Sequence, residues 1–71
     1  MNWFFNHRQE WIAEMLRVYG FINRGHLVRK FGISRAQSTF DLQTFITRHP
    51  DAVEYNPSKK CYEAKESKRQ A

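Results

Sequence analysis

Phe31-Gly32-Ile33-Ser34-Arg35-Ala36-Gln37 reads as the end of one helix, a tight turn, and the capped start of the next. Gly32 supplies the positive backbone dihedral that ends a helix, and Ile33 is expected to plug the core. Ser34 stands three residues before Gln37, the spacing of a capping box. Upstream, Asn23 can cap a short helix through Arg24-Gly25-His26-Leu27-Val28-Arg29-Lys30-Phe31, with Leu27, Val28 and Phe31 as its apolar face. Downstream, Ser38, Leu42, Phe45 and Ile46 recur at helical spacing and should face the core, while the other side reads Ala36, Gln37, Phe40, Asp41 and Thr44. This helix ends by His49-Pro50, because proline disfavours helical backbone in the residue before it. Two helices meeting across a glycine turn are the grammar of a helix-turn-helix, whose second helix lies in the major groove of DNA.

Working outward, a first helix is expected from near Asn6, a good N-cap residue, to Tyr19, with Gly20 as its stop. Phe5, Ile12, Met15, Leu16 and Tyr19 form its core face. Phe4, Trp11 and Val18 make a second apolar flank, which either packs under the following strands or forms a dimer interface. Phe21-Ile22-Asn23 is a short extended segment. Val53-Glu54-Tyr55 and Lys60-Cys61-Tyr62-Glu63-Ala64 read as two strands joined through Asn56-Pro57-Ser58-Lys59. The expected fold is therefore α+β and mostly α, a three-helix winged helix-turn-helix with a two-stranded β-hairpin wing. It should occupy residues 1–64, with residues 65–71 as a disordered basic tail that has no large apolar anchor.

Seventy-one residues allow one compact domain, and six Phe, three Tyr and two Trp can supply its core. The single cysteine, Cys61, cannot form an intramolecular disulfide, which fits a reducing compartment such as bacterial cytoplasm. Met1-Asn2-Trp3-Phe4-Phe5 is too short for a signal peptide, and no run of about eighteen apolar residues exists to span a membrane. A soluble, cytoplasmic protein is expected. The net charge of +5 is concentrated in the middle third, where Arg24, Arg29, Lys30, Arg35 and Arg48 face Asp41 alone. A polyanion should dock there.

The run Phe31-Gly32-Ile33-Ser34, Gln37, Asp41-Leu42, Tyr55-Asn56 and Lys59 with Tyr62 resembles the N-terminal winged helix of bacterial WYL-domain regulators, itself similar to the DeoR-type helix-turn-helix. The resemblance covers roughly residues 7–64. It implies a usually dimeric domain that binds operator DNA and most often represses, with Ser34, Arg35 and Gln37 reading the major groove and Ser58-Lys59-Lys60 as the wing tip. The chain ends just after the wing, so the effector-sensing WYL domain is expected to be absent. DeoR-type helices often carry an arginine pair before the Asp-Leu, where this sequence has Thr39-Phe40.

The chemistry of double-stranded DNA binding assigns roles to these side chains. Arg35 can reach guanine O6 and N7, or else a phosphate, and Gln37 can pair with adenine or serve only the cap. Ser34 and the free amides of that first turn can hold a phosphate. Ala36 and Phe40 offer apolar contact to thymine methyls, although Phe40 could equally be core; Thr39 and Thr44 complete the face. Lys59 and Lys60 at the wing, with Arg24, Lys30 and Arg8 at the rim, would clamp the backbone, and Lys65, Lys68 and Arg69 could trail into an adjacent groove. Each of these cations could instead be an ordinary solvated charge.

His7, His26, His49 and Cys61 have no metal-ligand spacing, and the sequence lacks a phosphate loop and a convincing acid-base pair, so neither an enzyme, a metal, a cofactor nor a small-molecule ligand is expected. The leading expectation is a sequence-specific DNA-binding homodimer acting as a transcriptional regulator, more often a repressor. Its competitors are a winged-helix protein-interaction module, for instance a phage or mobile-element protein that inhibits a host complex, and an RNA-binding winged helix.

Overall fold

The computed structural model describes residues 3–65. Helix α1 spans Trp3–Tyr19, strand β1 Phe21–Ile22, helix α2 Arg24–Phe31, helix α3 Arg35–Arg48, and strands β2 and β3 Val53–Asn56 and Cys61–Ala64. Helix α1 starts three residues before the expected Asn6. Local cap preference is overridden by packing in the first turn, where Trp3 stacks on His7 at 5.2 Å, one turn along the same face. Its core residues are Ile12 and Leu16, joined by Gln9; Tyr19, expected inside, is exposed, because the chain turns at Gly20 and sends Ile22 into the core in its place.

The wing differs from expectation in having three antiparallel strands, ordered β1-β3-β2. Phe21 and Ile22 pair with Glu63 and Tyr62, so the extended segment between the first two helices becomes the strand that fastens the hairpin to the helices. On the other side of β3, Tyr55 opposes Tyr62 with ring centroids 4.8 Å apart. Lys65, assigned above to the tail, donates its N–H to the Ala52 carbonyl at 3.0 Å and so extends the sheet. Residues 66–71, with Lys68 and Arg69, lie outside the described residues. Ile12, Leu16, Ile22, Leu27, Leu42, Phe45, Val53 and Tyr62 form the core, drawing on all three helices and all three strands.

The helix caps set the turn geometry. Gly32 adopts φ 67° and donates its N–H to the Val28 carbonyl at 2.8 Å, closing α2 in a left-handed conformation that costs glycine nothing. Ser34 caps α3 by accepting from the Gln37 N–H at 3.0 Å. The reciprocal capping box occurs instead at α2: Asn23 Oδ1 accepts from the His26 N–H at 3.0 Å, and the Asn23 N–H donates to His26 Nδ1 at 3.2 Å. That second bond requires a neutral imidazole. Burial, reinforced by the Arg29 charge, holds the His26 pKa below its ordinary 6.5. A histidine that binds its proton less readily when folded contributes stability that is complete above pH 6.5 and is lost as pH falls through the window below. The melting temperature should therefore drop on going from about pH 7 to about pH 5, and by less in His26→Gln, in thermal melts at matched ionic strength. Parallel curves for the two proteins would exclude His26 as the source.

Candidate nucleic-acid interface

Helix α3 is oriented by its buried stripe of Ser38, Asp41, Leu42 and Phe45. The burial of Asp41 corrects its expected place on the polar side. Its carboxylate is 0% exposed and is held by Arg8, with Nε to Oδ2 at 2.5 Å and Nη2 to Oδ1 at 3.3 Å, and by Gln37 Nε2, which donates to Oδ1 at 2.9 Å. Gln9 Nε2 donates to the Asp41 carbonyl at 2.8 Å. Arg8 is consequently an internal ion pair and not a rim clamp, its side chain being 12% exposed.

Gln37, expected to meet a base or complete the Ser34 cap through its side chain, has its amide anchored to Asp41 and is half-buried. Thr39 and Thr44 are also half-buried, Thr39 within 3.4 Å of Arg24 Nη1. Ala36 and Phe40 are exposed, and Phe40, whose place was open between core and surface, keeps 59% of its area accessible while touching Phe5 at 6.1 Å between ring centres. The buried stripe of Ser38, Asp41, Leu42 and Phe45 leaves Phe40 on the opposite side of the helix. Gln43 was overlooked in the sequence. It is exposed, three residues after Phe40 and seven after Ala36, so the same helical spacing places its amide on the outward face. Ala36, Phe40, Gln43 and Thr47 are the exposed side chains that share this outward face of α3.

The expected cations separate into two groups. Arg24, Arg35 and Lys60, from the starts of α2 and α3 and from the end of the wing turn, line one pocket. Lys59 sits 3.8 Å from Glu63, and Lys30 lies over the Trp11 ring at 5.8 Å, so neither belongs to that pocket. Within the wing turn, Asn56 Oδ1 accepts from the N–H groups of Ser58 and Lys59 at 3.0 and 3.1 Å, fixing the loop from within.

The apolar flank of α1 is divided. Trp11 is half-buried against Phe31 of α2, with centroids 5.4 Å apart at 88°, whereas Phe4 and Val18 are 65% and 51% exposed. Trp11 therefore packs between α1 and α2, while Phe4 and Val18 keep more than half of their surface accessible. Cys61 is buried, and burial raises its thiol pKa, with Glu63 reinforcing the shift. The histidines have packing neighbours of their own: His7 meets Trp3 and Phe31, His26 completes a cap, and His49 touches Phe45. Among the described residues no three His, Cys, Asp or Glu side chains are placed to hold a metal, and no helix is long and apolar enough to cross a membrane.

Two relatives named as the DNA-binding transcriptional repressor CapW, one from Escherichia coli strain KTE188 and one from Escherichia coli, are each 39% identical to this chain over 61 residues. The aligned stretch is 86% of this chain and 20% of theirs, so the chain spans about a fifth of their length. Residues 6–70 match the family model of the BrxR transcriptional regulator winged helix-turn-helix domain. That match runs from the first turns of α1 through the wing and includes every element from which the fold was built, and the chain belongs to this family of winged helix-turn-helix regulator domains.

Proposed function

We propose that the chain binds double-stranded DNA sequence-specifically, as a homodimer in the bacterial cytoplasm, and acts as the reader domain of a transcriptional repressor of the WYL or DeoR type. The observation that carries this reading is the coincidence of an outward α3 face, flanked by Arg24, Arg35 and Lys60, with likeness to repressors named for binding DNA. Recognition helices read base edges in the major groove while surrounding cations neutralise phosphates. Ala36 and Phe40 suit thymine methyls, Gln43 suits adenine, and the remaining contacts fix register. Phe4 and Val18, with neighbouring Trp3, supply the exposed apolar surface for self-association.

Selection of bound duplexes from random DNA tests the reading, and a palindromic consensus is expected from a dimer. Gln43→Ala should relax preference at one base pair of each half-site by about 1–3 kcal/mol while leaving affinity for scrambled duplex unchanged. Failure to bind any duplex at about 50 mM salt would refute DNA binding. In that case the exposed Trp3-Phe4 surface would favour the protein-interaction module instead.

A further inference from the structure

We infer that Arg24, Arg35 and Lys60 form a single seat for one phosphate group, and that Arg35 is thereby a backbone anchor and not a base reader. The pocket they share measures about 280 Å³ and is completed by Asn23, Gly25 and Val28. Three cations reach it from three separate elements: the first residue of α2, the first residue of α3 and the last residue of the wing turn. No carboxylate lines it. Among the described residues, none of these three cations has an acidic partner within 4.0 Å, a property shared with Arg29, Lys30, Arg48 and Lys65; what sets the three apart is that they line one pocket. All three side chains are exposed, so the concavity presents three solvated cations with no carboxylate among its lining residues, an arrangement open to an anion.

A second observation points to the same place. Lys60 has φ 55°, and among the described residues it alone has a positive φ without being glycine. Residues 57–60 form the four-residue loop between β2 and β3, and its last position takes the left-handed backbone usual at the end of such hairpin turns, here with a lysine where glycine or asparagine would fit more easily. The turn thus ends on a lysine that lines the same pocket as Arg35. Gly25 lines the pocket with backbone alone, and an added Cβ would meet Arg29 Nη1 and Asn23 Oδ1 at 3.3 Å. A tetrahedral oxyanion with several acceptor oxygens suits three donors arriving from different directions.

The inference rests on the DNA-binding reading only for the source of the phosphate, which would be a nucleic-acid backbone. The first arm of the test follows the Gly25 amide by NMR while inorganic phosphate is titrated into the full chain. Saturable shifts are expected, weakened roughly tenfold by Arg35→Gln or Lys60→Gly and unchanged by Arg17→Gln on α1. Lys60→Gly should melt no lower than wild type, since it relieves the positive φ, and this separates a lost contact from a lost fold. The second arm measures the salt dependence of binding to a scrambled duplex. If the three cations share one phosphate, removing all three lowers the slope of log K against log salt by about 1; three separate contacts would lower it by about 3.

Non-saturable shifts, shifts indifferent to Arg35 and Lys60, or the larger slope change would overturn the seat. Saturable phosphate binding without duplex binding would retain the seat and reject DNA as its source. Duplex binding with a silent Gly25 amide would reject the seat and retain the DNA reading.

Discussion

Replacing Arg8 with alanine is expected to destabilise the domain by about 3–5 kcal/mol, a large share of the roughly 5 kcal/mol or somewhat more that a small domain possesses. The magnitude follows from the environment of the partner. Asp41 is fully buried, and Arg8 is the cation that neutralises it; removing the guanidinium leaves a carboxylate away from water with the Gln37 amide as its remaining side-chain donor. Asp41→Asn should cost less, because it preserves shape and an acceptor while Arg8, 12% exposed, can still reach solvent. The double replacement Arg8→Met with Asp41→Leu should recover most of the loss, since a buried ion pair exchanged for matched apolar groups is often neutral in stability. Urea denaturation of the four proteins checks this order. A cost below about 1 kcal/mol for Arg8→Ala would show that the pair behaves like a solvent-screened surface contact.

Function should respond differently from stability in this series. The Asp41 carboxylate anchors Gln37 on the first turns of α3 and, through Arg8, fastens α1 to that helix. The apolar double variant can therefore fold and still leave the Gln37 amide free to move. On the proposed DNA-binding reading, its consensus should broaden next to the base pair assigned to Gln43, while the part of the salt dependence assigned to Arg24, Arg35 and Lys60 stays the same. The long-range ion pair thus has two separable consequences, one for the core and one for the presentation of the recognition helix.

What the sequence made legible was governed by distance along the chain. Asn23, Gly32 and Ser34 act on residues within four positions of themselves, so their caps and turn could be read directly, and the α2 and α3 boundaries followed. Asp41 could not be placed that way. Its partner Arg8 lies thirty-three residues earlier, and a carboxylate among polar neighbours looks like a solvated charge until that partner is known. The ambiguity of Phe40 was the same problem of helix rotation: with Ser38, Asp41, Leu42 and Phe45 buried together, position 40 lies on the far side of the helix. Strand β1 is two residues long and shows no periodicity of its own, so its pairing with β3 depended on tertiary structure. Gln43 is the exception, because its spacing from Ala36 and Phe40 was already visible. The convergence of Arg24, Arg35 and Lys60 required the wing to be positioned by β1, and no local pattern carries that information.

Leu27→Ala should cost about 2–5 kcal/mol and, more informatively, should loosen α2 before the rest of the domain. Helix α2 is eight residues long, far below the length at which a helix is stable alone, and Leu27 is its one buried residue, with 0% exposure. Its other attachments include the Asn23 cap, the Gly32 turn, the contact of Arg24 with Thr39 and the half-buried packing of Phe31 on Trp11 and His7, each worth less than a filled core position. Truncating Leu27 leaves a cavity in the cluster shared with Ile12, Ile22 and Leu42, and α2 has no second buried side chain to retain its position. Leu16→Ala on the seventeen-residue α1 removes a similar volume from an element that keeps Ile12 and Gln9 buried, so that variant should lose stability globally. Native-state hydrogen exchange separates the two: α2 amides should open well below the global unfolding free energy in Leu27→Ala, and at the global value in Leu16→Ala. Because α2 carries Arg24, phosphate binding in Leu27→Ala should fall by more than its unfolded fraction explains. Protection of α2 up to the global limit in that variant would show that the caps and the packing of Phe31 on α1, not Leu27, hold the helix in place.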